Sequence, residues 1–358
     1  MKKNINISNC IPKFILLFFI NLIILSLFFF KKNEKTIRKI GVVGVRHEVN
    51  IGNNLLKYAI SIKLKELGYK PFIIGTHWNN FNISFINETT NLVIISNNFS
   101  EIKKDQFDIL MVNSDQTWRK FDNNFYDYGF LKFAAKWNIR KFVYGASLGF
   151  DDWQLSLSDD QIAKNLLKNF TGISVREEGS IKLIEQHFGV SPQLVLDPTL
   201  LINKKYYLDI IKNYKGKISI KKKYIFIYNV LSSQYIRSAI KIAKNIFDYE
   251  SYYFQINSTS SVKDFIYYLV KSNAVITNSY HGTIFAIIFN KPFITIFDKT
   301  NARERFTTIG NIFDVHDRLF EKNQNINIYK LMKPLNIDYK LLNQLKLKSI
   351  NFIKKNLI

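Results

Sequence analysis

The chain has 358 residues, 47% hydrophobic and 15% aromatic, enough for a sizeable core and, on length, two domains. Its formal charge of +23, from 51 basic and 28 acidic residues, is scattered over the chain instead of gathered into one basic stripe with interleaved aromatics. That pattern argues for a solvated surface and against a nucleic-acid partner, and is compatible with acidic small substrates or an acidic membrane leaflet. The single cysteine, Cys10, excludes an internal disulfide framework and a multi-cysteine metal site, and the five histidines have no paired metal spacing, so no metal is expected.

Phe14 to Phe30, FILLFFINLIILSLFFF, carries no charge and only Asn21 and Ser26 as polar residues. As a helix it spans about 25 Å, near the short end of what crosses a bilayer. The run ends in Phe-Phe-Phe-Lys-Lys with no small-residue cleavage site, which favours an uncleaved single-pass membrane anchor over a removed signal peptide. A buried soluble helix is the other reading. Lys31, Lys32, Lys35, Arg38 and Lys39 follow the run and Lys2, Lys3 and Lys13 precede it, so the positive-inside rule places the catalytic part on the cytoplasmic side. Residues 1–38 thus read as anchor and linker.

Residues 39–45, KIGVVGV, form the first expected strand; Leu56, Ala59, Ile60, Leu64 and Leu67 mark one helix face ended by Gly68, and Pro71 to Ile74 is the next strand. The turn between them, with Asn50, Gly52 and Asn53, reads either as an anion or sugar site or as an ordinary helix cap. Further strands are expected at 91–96 and 107–112. The second ends in Asn113-Ser114-Asp115-Gln116-Thr117-Trp118, whose polar groups and aromatic face suit a carbohydrate; the plainer reading makes Ser114 or Asp115 a cap and Trp118 core. Strands follow at 141–146, closed by Ser147-Leu148-Gly149, at 173–175 and at 193–196, with a short helix lined by Ile181, Ile184 and Phe188.

The repeated strand, polar turn and helix predict a mostly parallel sheet with helices on both faces. The pattern lapses in the lysine-rich stretch 203–223, which divides a first domain, 39–212, from a second, 213–335. There the pattern restarts with a strand at 224–230, a helix at 233–247, a strand at 252–256 and a helix at 262–270. Residues 336–358 read as a closing amphipathic helix.

Ser272 to Phe297, SNAVITNSYHGTIFAIIFNKPFITIF, is a strand at 274–277, a turn through Asn278, Ser279, Tyr280 and His281, a short helix from Gly282 to Phe289, and a second strand. Such a turn lies at the carboxyl end of a strand, where open α/β sheets bind ligands, and its backbone N–H groups favour an anion. A histidine there is favoured in its neutral form and suited to proton exchange near neutral pH; alternatively His281 merely belongs to a capping turn.

Taken in order, NIGNNLLKYAI (50–60), FDILMVNSDQTW (107–118), YGASLG (144–149), ISVREEGS (173–180), LVLDPTLL (194–201) and AVITNSYHGTIFAIIFNKPFI (274–294) resemble the polysaccharide pyruvyl transferase family, and NARERFTTIGNIFDVHDRLF (301–320) fits its usual tail. The resemblance implies two Rossmann-like domains facing across a cleft, similar to the GT-B glycosyltransferases. It also implies transfer of the pyruvyl group of phosphoenolpyruvate onto two hydroxyls of a sugar or glycan acceptor. Phosphoenolpyruvate is then the donor substrate, and no separate cofactor is implied. Protonating its methylene carbon creates an oxocarbenium-like centre that a deprotonated hydroxyl attacks, which calls for a general acid and a general base.

On this resemblance Arg176 and His281 serve the phosphoenolpyruvate site, His281 in proton transfer and Arg176 as a planar fork for carboxylate or phosphate. Phosphate sits on the helix N-terminus at Gly282 and Thr283, and Asp115 positions or deprotonates the acceptor hydroxyl. Asn50, Gly52, Asn53, Ser114, Gln116, Ser147, Ser279 and Tyr280 complete the expected substrate-binding set. Arg176 also reads as a surface partner of Glu177 and Glu178. The chain departs from the family in having Ser279 where several members carry an arginine, so one phosphate clamp is either missing or supplied by Arg303 or Arg305, and in having Asn113 for a usual glycine. A nucleotide-sugar glycosyltransferase and a non-catalytic glycan-binding relative are the alternative functions on this scaffold.

Overall fold

The structure is a computed structural model and describes residues 37–44, 50–76, 85, 88–95, 98–230, 234–256, 261–298 and 303–358. The expected membrane anchor, 14–30, lies outside the described residues. Among the described residues, no helix is long and apolar enough to cross a membrane.

The first half contains β1 (Lys39–Val43), α1 (Ile51–Glu66), β2 (Lys70–Thr76), β3 (Asn91–Ile95), β4 (Ile109–Val112), α2 (Phe125–Phe130), β5 (Arg140–Ala146), α3 (Leu157–Leu167), β6 (Gly172–Val175), α4 (Ser180–Phe188) and β7 (Gln193–Leu194). Its sheet is parallel throughout, in the order β3-β2-β1-β4-β5-β6-β7. After α5 (Lys204–Ile210) come β8 (Tyr224–Tyr228), α6 (Gln234–Ile246), β9 (Glu250–Phe254), α7 (Val262–Lys271), β10 (Ala274–Thr277), α8 (Tyr280–Ile288), β11 (Phe293–Phe297), α9 (Arg303–Phe313) and β12 (Leu319–Glu321). These form a second parallel sheet, β12-β11-β10-β8-β9. The chain ends in α10 (Tyr339–Leu357).

The apolar strand runs lack polar alternation because both faces of each sheet are covered. Ile40 and Val42 of β1, Ile109 and Met111 of β4, and Phe142 and Tyr144 of β5 enter one core; Val43, Leu110, Val112 and Val143, from the intervening positions, enter another. In the second sheet Phe226 and Tyr228 share the first of those cores, while Ile225 and Ile227 face a third. The first core is continuous between the halves: Leu55 and Leu64 of α1 join Phe265 of α7 and Phe285 of α8.

The closing helix belongs by contact to the first half. Phe352 packs on Phe142 and Tyr144 with ring centroids 6.5 and 6.2 Å apart, the Leu196 N–H donates to Ser349 Oγ at 2.9 Å, and the Thr171 hydroxyl donates to Asn356 Oδ1 at 2.9 Å. The stretch 203–223 is not wholly irregular, since α5 lies within it. Helix α8 begins two residues before the apolar density at Gly282, because Ser279 caps it through the Gly282 N–H at 3.3 Å.

Candidate functional site

Strand order reverses between β1 and β4 in the first sheet and between β8 and β10 in the second. Crevices at the carboxyl ends of such switch points are where open α/β sheets bind ligands. The loops after β4, β6 and β10 deliver charged side chains there.

After β4, Asp115 adopts φ 97°, costly for a side chain other than glycine by about 1–3 kcal/mol. A bridge to Ala146 and a 2.9 Å hydrogen bond from the Ser147 N–H to the Asp115 carbonyl hold it. The strained turn leaves Asp115 Oδ1 3.0 Å from Arg176 Nη2. Ser114 donates to the Gly145 carbonyl at 2.7 Å and accepts from Arg176 Nη1 at 3.4 Å. Ser147 is buried beside Glu177, and buried Asn113 Oδ1 has no hydrogen-bond partner among the described residues.

Arg176, 2% exposed, is enclosed by carboxylates. Its Nε donates to Glu177 Oε1 at 3.2 Å and its Nη1 to Asp197 Oδ2 at 2.7 Å, while Nη2 meets Asp115. The Tyr280 ring lies with its centroid 4.6 Å from the guanidinium carbon. Burial works against the charge, but Tyr280, Asp197, Asp115 and Glu177 outweigh it and push the Arg176 pKa further up. The reading of Arg176 as a surface partner of Glu177 and Glu178 is therefore corrected: Arg176 and Glu177 are both buried, and Glu178 instead accepts from Asn311 Nδ2 at 3.3 Å. Burial raises the Glu177 pKa, against the lowering effect of Arg176 and Arg305.

His281 stands in the first turn of α8, with Nε2 3.8 Å from Asp197 Oδ2 and, among the described residues, without a hydrogen-bond partner for that nitrogen. Arg176 and His281 thus converge on one carboxylate oxygen. Burial lowers the His281 pKa, with Asp197 and Asp115 opposing and both arginines reinforcing, so the resting imidazole is neutral. Helix α1 presses on the ring: a Cβ at Gly52 would stand 2.2 Å from His281 Nδ1, so only glycine permits this approach. Asn50 caps α1, accepting from the N–H groups of Gly52 at 2.9 Å and Asn53 at 3.4 Å, and Asn53 is buried in the first turn.

A second arginine enters from α9. Arg305 Nε is closed off from solvent and makes no hydrogen bond among the described residues. With its amide oxygen facing Arg305, Gln116 accepts from Nη1 at 3.0 Å and Nη2 at 3.3 Å. The guanidinium carbon lies 5.7 Å from the Tyr280 centroid. Burial and then Arg176 lower the Arg305 pKa, against the pull of Glu177 and Asp115. The position of α9 is fixed from the first half, where the Asp151 carboxylate accepts from the N–H groups of Arg303 at 2.9 Å and Glu304 at 3.1 Å. Arg303 itself is exposed and paired with Glu321 at 3.1 Å, which leaves Arg305 as the arginine inside the site.

Three expected contributors are spent on structure. Trp118, suited on sequence to a sugar face, is fully buried, stacks on Phe130 at 5.6 Å and donates Nε1–H to the Gly129 carbonyl, so the core reading holds. The Thr283 hydroxyl is engaged by the Ser279 carbonyl and by Thr295 Oγ1 at 2.7 Å, which turns the side chain toward β11. The N–H groups of Gly282 and Thr283 are taken by Ser279 Oγ and the Ser279 carbonyl, respectively, so the expected phosphate seat at these two residues is corrected to a capped helix start. Asp197, buried and gripping the Thr199 N–H and hydroxyl at 2.9 and 2.6 Å, is a site residue to which the LVLDPTLL run gave no role; its signal was a carboxylate at a strand end before proline.

A family model described as polysaccharide pyruvyl transferase matches residues 50–296. No curated protein matches the chain. Among solved structures, it is similar to UDP-GlcNAc 2-epimerase from Methanocaldococcus jannaschii, with a TM-score of 0.56 and 14% identity over 88% of this chain and 98% of that one. UDP-GlcNAc 2-epimerase from Neisseria meningitidis bound to UDP-GlcNAc gives a TM-score of 0.56 and 13% identity over 88% and 99%. The S. aureus MnaA-UDP co-structure gives 0.52 and 15% over 87% and 91%. Identities this low speak for the fold alone, which is GT-B-like with two parallel sheets. Residues 50–296 make up more than half of the chain and include Asp115, Arg176, Asp197 and His281, and the chain belongs to the polysaccharide pyruvyl transferase family.

Proposed function

We propose that this chain transfers the pyruvyl group of phosphoenolpyruvate to two hydroxyls of a sugar in a polysaccharide or lipid-linked glycan, forming a ketal and releasing phosphate. The observation that carries the reading is the convergence of Arg305 and His281, from the second half, on the Arg176 carboxylate cluster of the first. Arg176 is saturated by three carboxylates and cannot also bind a polyanion without releasing one. Arg305, whose buried Nε has no partner among the described residues, is the guanidinium that takes the donor's carboxylate or phosphate.

His281, neutral at rest, removes a proton from the attacking hydroxyl, and Asp197 stabilises the imidazolium that forms. The methylene carbon gains one proton and becomes a methyl group. Two hydroxyl O–H bonds and the C–O bond to phosphate break, two C–O bonds to the sugar form at the former enol carbon, and the second proton leaves with phosphate. Asp115, fixed by its strained turn and by Arg176, orients the acceptor.

Incubation of the purified chain with phosphoenolpyruvate and glycan acceptors is expected to yield inorganic phosphate and an acid-labile ketal. His281→Ala should lower kcat by about 10²–10⁴-fold with the fold intact. Thermal stabilisation by a nucleoside diphosphate, with no response to phosphoenolpyruvate, would replace the donor assignment with a nucleotide-sugar.

A further inference from the structure

The opposite end of the first sheet carries charge that the cleft chemistry does not use. At the amino ends of the strands, Lys39 of β1 pairs in register with Lys70 of β2, Arg140 opens β5, and all three are exposed. Arg38, Lys104 and Arg140 border an open cavity of about 590 Å³ with Asp105 and Asp108. Helix α10 ends at the same place: Arg38 Nη2 and the Tyr69 hydroxyl both donate to the Leu357 carbonyl, within a turn of exposed Lys354 and Lys355. Exposed Lys136 lies in the turn leading to β5. The acidic groups named on this face, Asp105, Asp108 and Glu66, are outnumbered by the basic ones, and Asp105 stands exposed beside Lys104. Glu66 is paired with Lys63, and Asp108 Oδ2 accepts the Lys39 backbone N–H at 2.7 Å. Ile358, 78% exposed, follows Leu357.

We propose that this end of the first sheet docks on a leaflet of anionic phospholipid, with the cleft at the far ends of the same strands pointing away from the bilayer. Lysine and arginine clustered with little opposing charge are attracted to such a leaflet within about 8 Å, the screening length at physiological salt. In the sequence, the charge-free apolar run 14–30 ends eight residues before Arg38, a contour of about 29 Å at most. A bilayer reached by that run is therefore within tether length of this face. The inference stands whether or not the pyruvyl donor is correct.

The test uses the full chain reconstituted in neutral phosphatidylcholine vesicles or in vesicles enriched in phosphatidylserine, with lysine acetylation read by mass spectrometry. Lys39, Lys70, Lys104, Lys136 and Lys354 should be protected severalfold in the anionic vesicles alone, and high salt should abolish the protection; exposed Lys221 and Lys222 of the second half should label equally in both. In Lys39→Glu/Lys70→Glu/Arg140→Glu the protection of Lys104 and Lys136 should fall toward the neutral-vesicle rate. Equal labelling of the face in both lipids, protection of Lys221 and Lys222 instead, or protection by duplex DNA in the absence of lipid would each overturn the assignment.

Discussion

At the carboxyl ends of β4 to β6, Arg176 is 2% exposed and makes three ion pairs; at the amino ends of β1, β2 and β5, Lys39, Lys70 and Arg140 stand in solvent. The two ends of one sheet thus carry the same kinds of charge under opposite physics. A buried guanidinium has lost its water and must be replaced by close partners, which fixes the rotamers of Asp115, Glu177 and Asp197 and with them the shape of the site. An exposed lysine keeps its water, contributes little to folding, and matters only through the field it makes with its neighbours.

Removing the buried charge should break this contrast most severely. Arg176→Ala leaves the carboxylates unpaired and should cost about 3–5 kcal/mol in denaturant unfolding. Arg176→Lys should recover little, because one ammonium cannot meet three differently directed carboxylates. A melt within error of wild type would mean that the carboxylates find other partners. Next in size, Gly52→Ala drives a methyl group into the His281 ring and should cost about 1–3 kcal/mol, with proton transfer impaired. Unchanged turnover would show that α1 yields more easily than its contact suggests.

The pH dependence sharpens the comparison further. Burial lowers the folded-state His281 pKa below 6.5, so the neutral form persists below that value. kcat/KM should stay level from neutral pH down to about 6.5 and fall only below it. Stability follows the same sign: from 6.5 downward the unfolded chain binds a proton that the folded imidazole resists, and folding weakens. An activity profile that rises on acidification through this range would make His281 an acid at rest instead of a base. Smallest of all, Lys70→Glu should change unfolding free energy by no more than about 0.5 kcal/mol. A larger loss would mean that the amino-terminal end is more than a solvated surface.

Much of the architecture was legible from local pattern. The apolar runs at 39–43, 109–112, 140–146 and 274–277 are strands, and the polar turns after the last three lie at the site, because period, strand-end chemistry and glycine act within a few residues. Helices α2 and α9 and the short β12 lack so clear a period, and α5 sits in a stretch that reads as a break. Tertiary contacts hold them: Phe306 of α9, for example, stacks on Phe297 at 4.6 Å.

The site divides in the same way. The sequence alone placed Asp115, His281 and Gly52 at the ends of strands or starts of helices, since those positions follow from short-range rules of turn and cap. Only the tertiary structure decided that Arg176 is neutralised by Asp115, Glu177 and Asp197, that Trp118 is core, and that Arg305 brings into the site a guanidinium whose buried Nε has no hydrogen-bond partner among the described residues. Burial and pairing depend on groups tens of residues apart in the chain, and the worth of a charge is set by the water it loses and the partners it meets, neither of which spacing along the chain encodes.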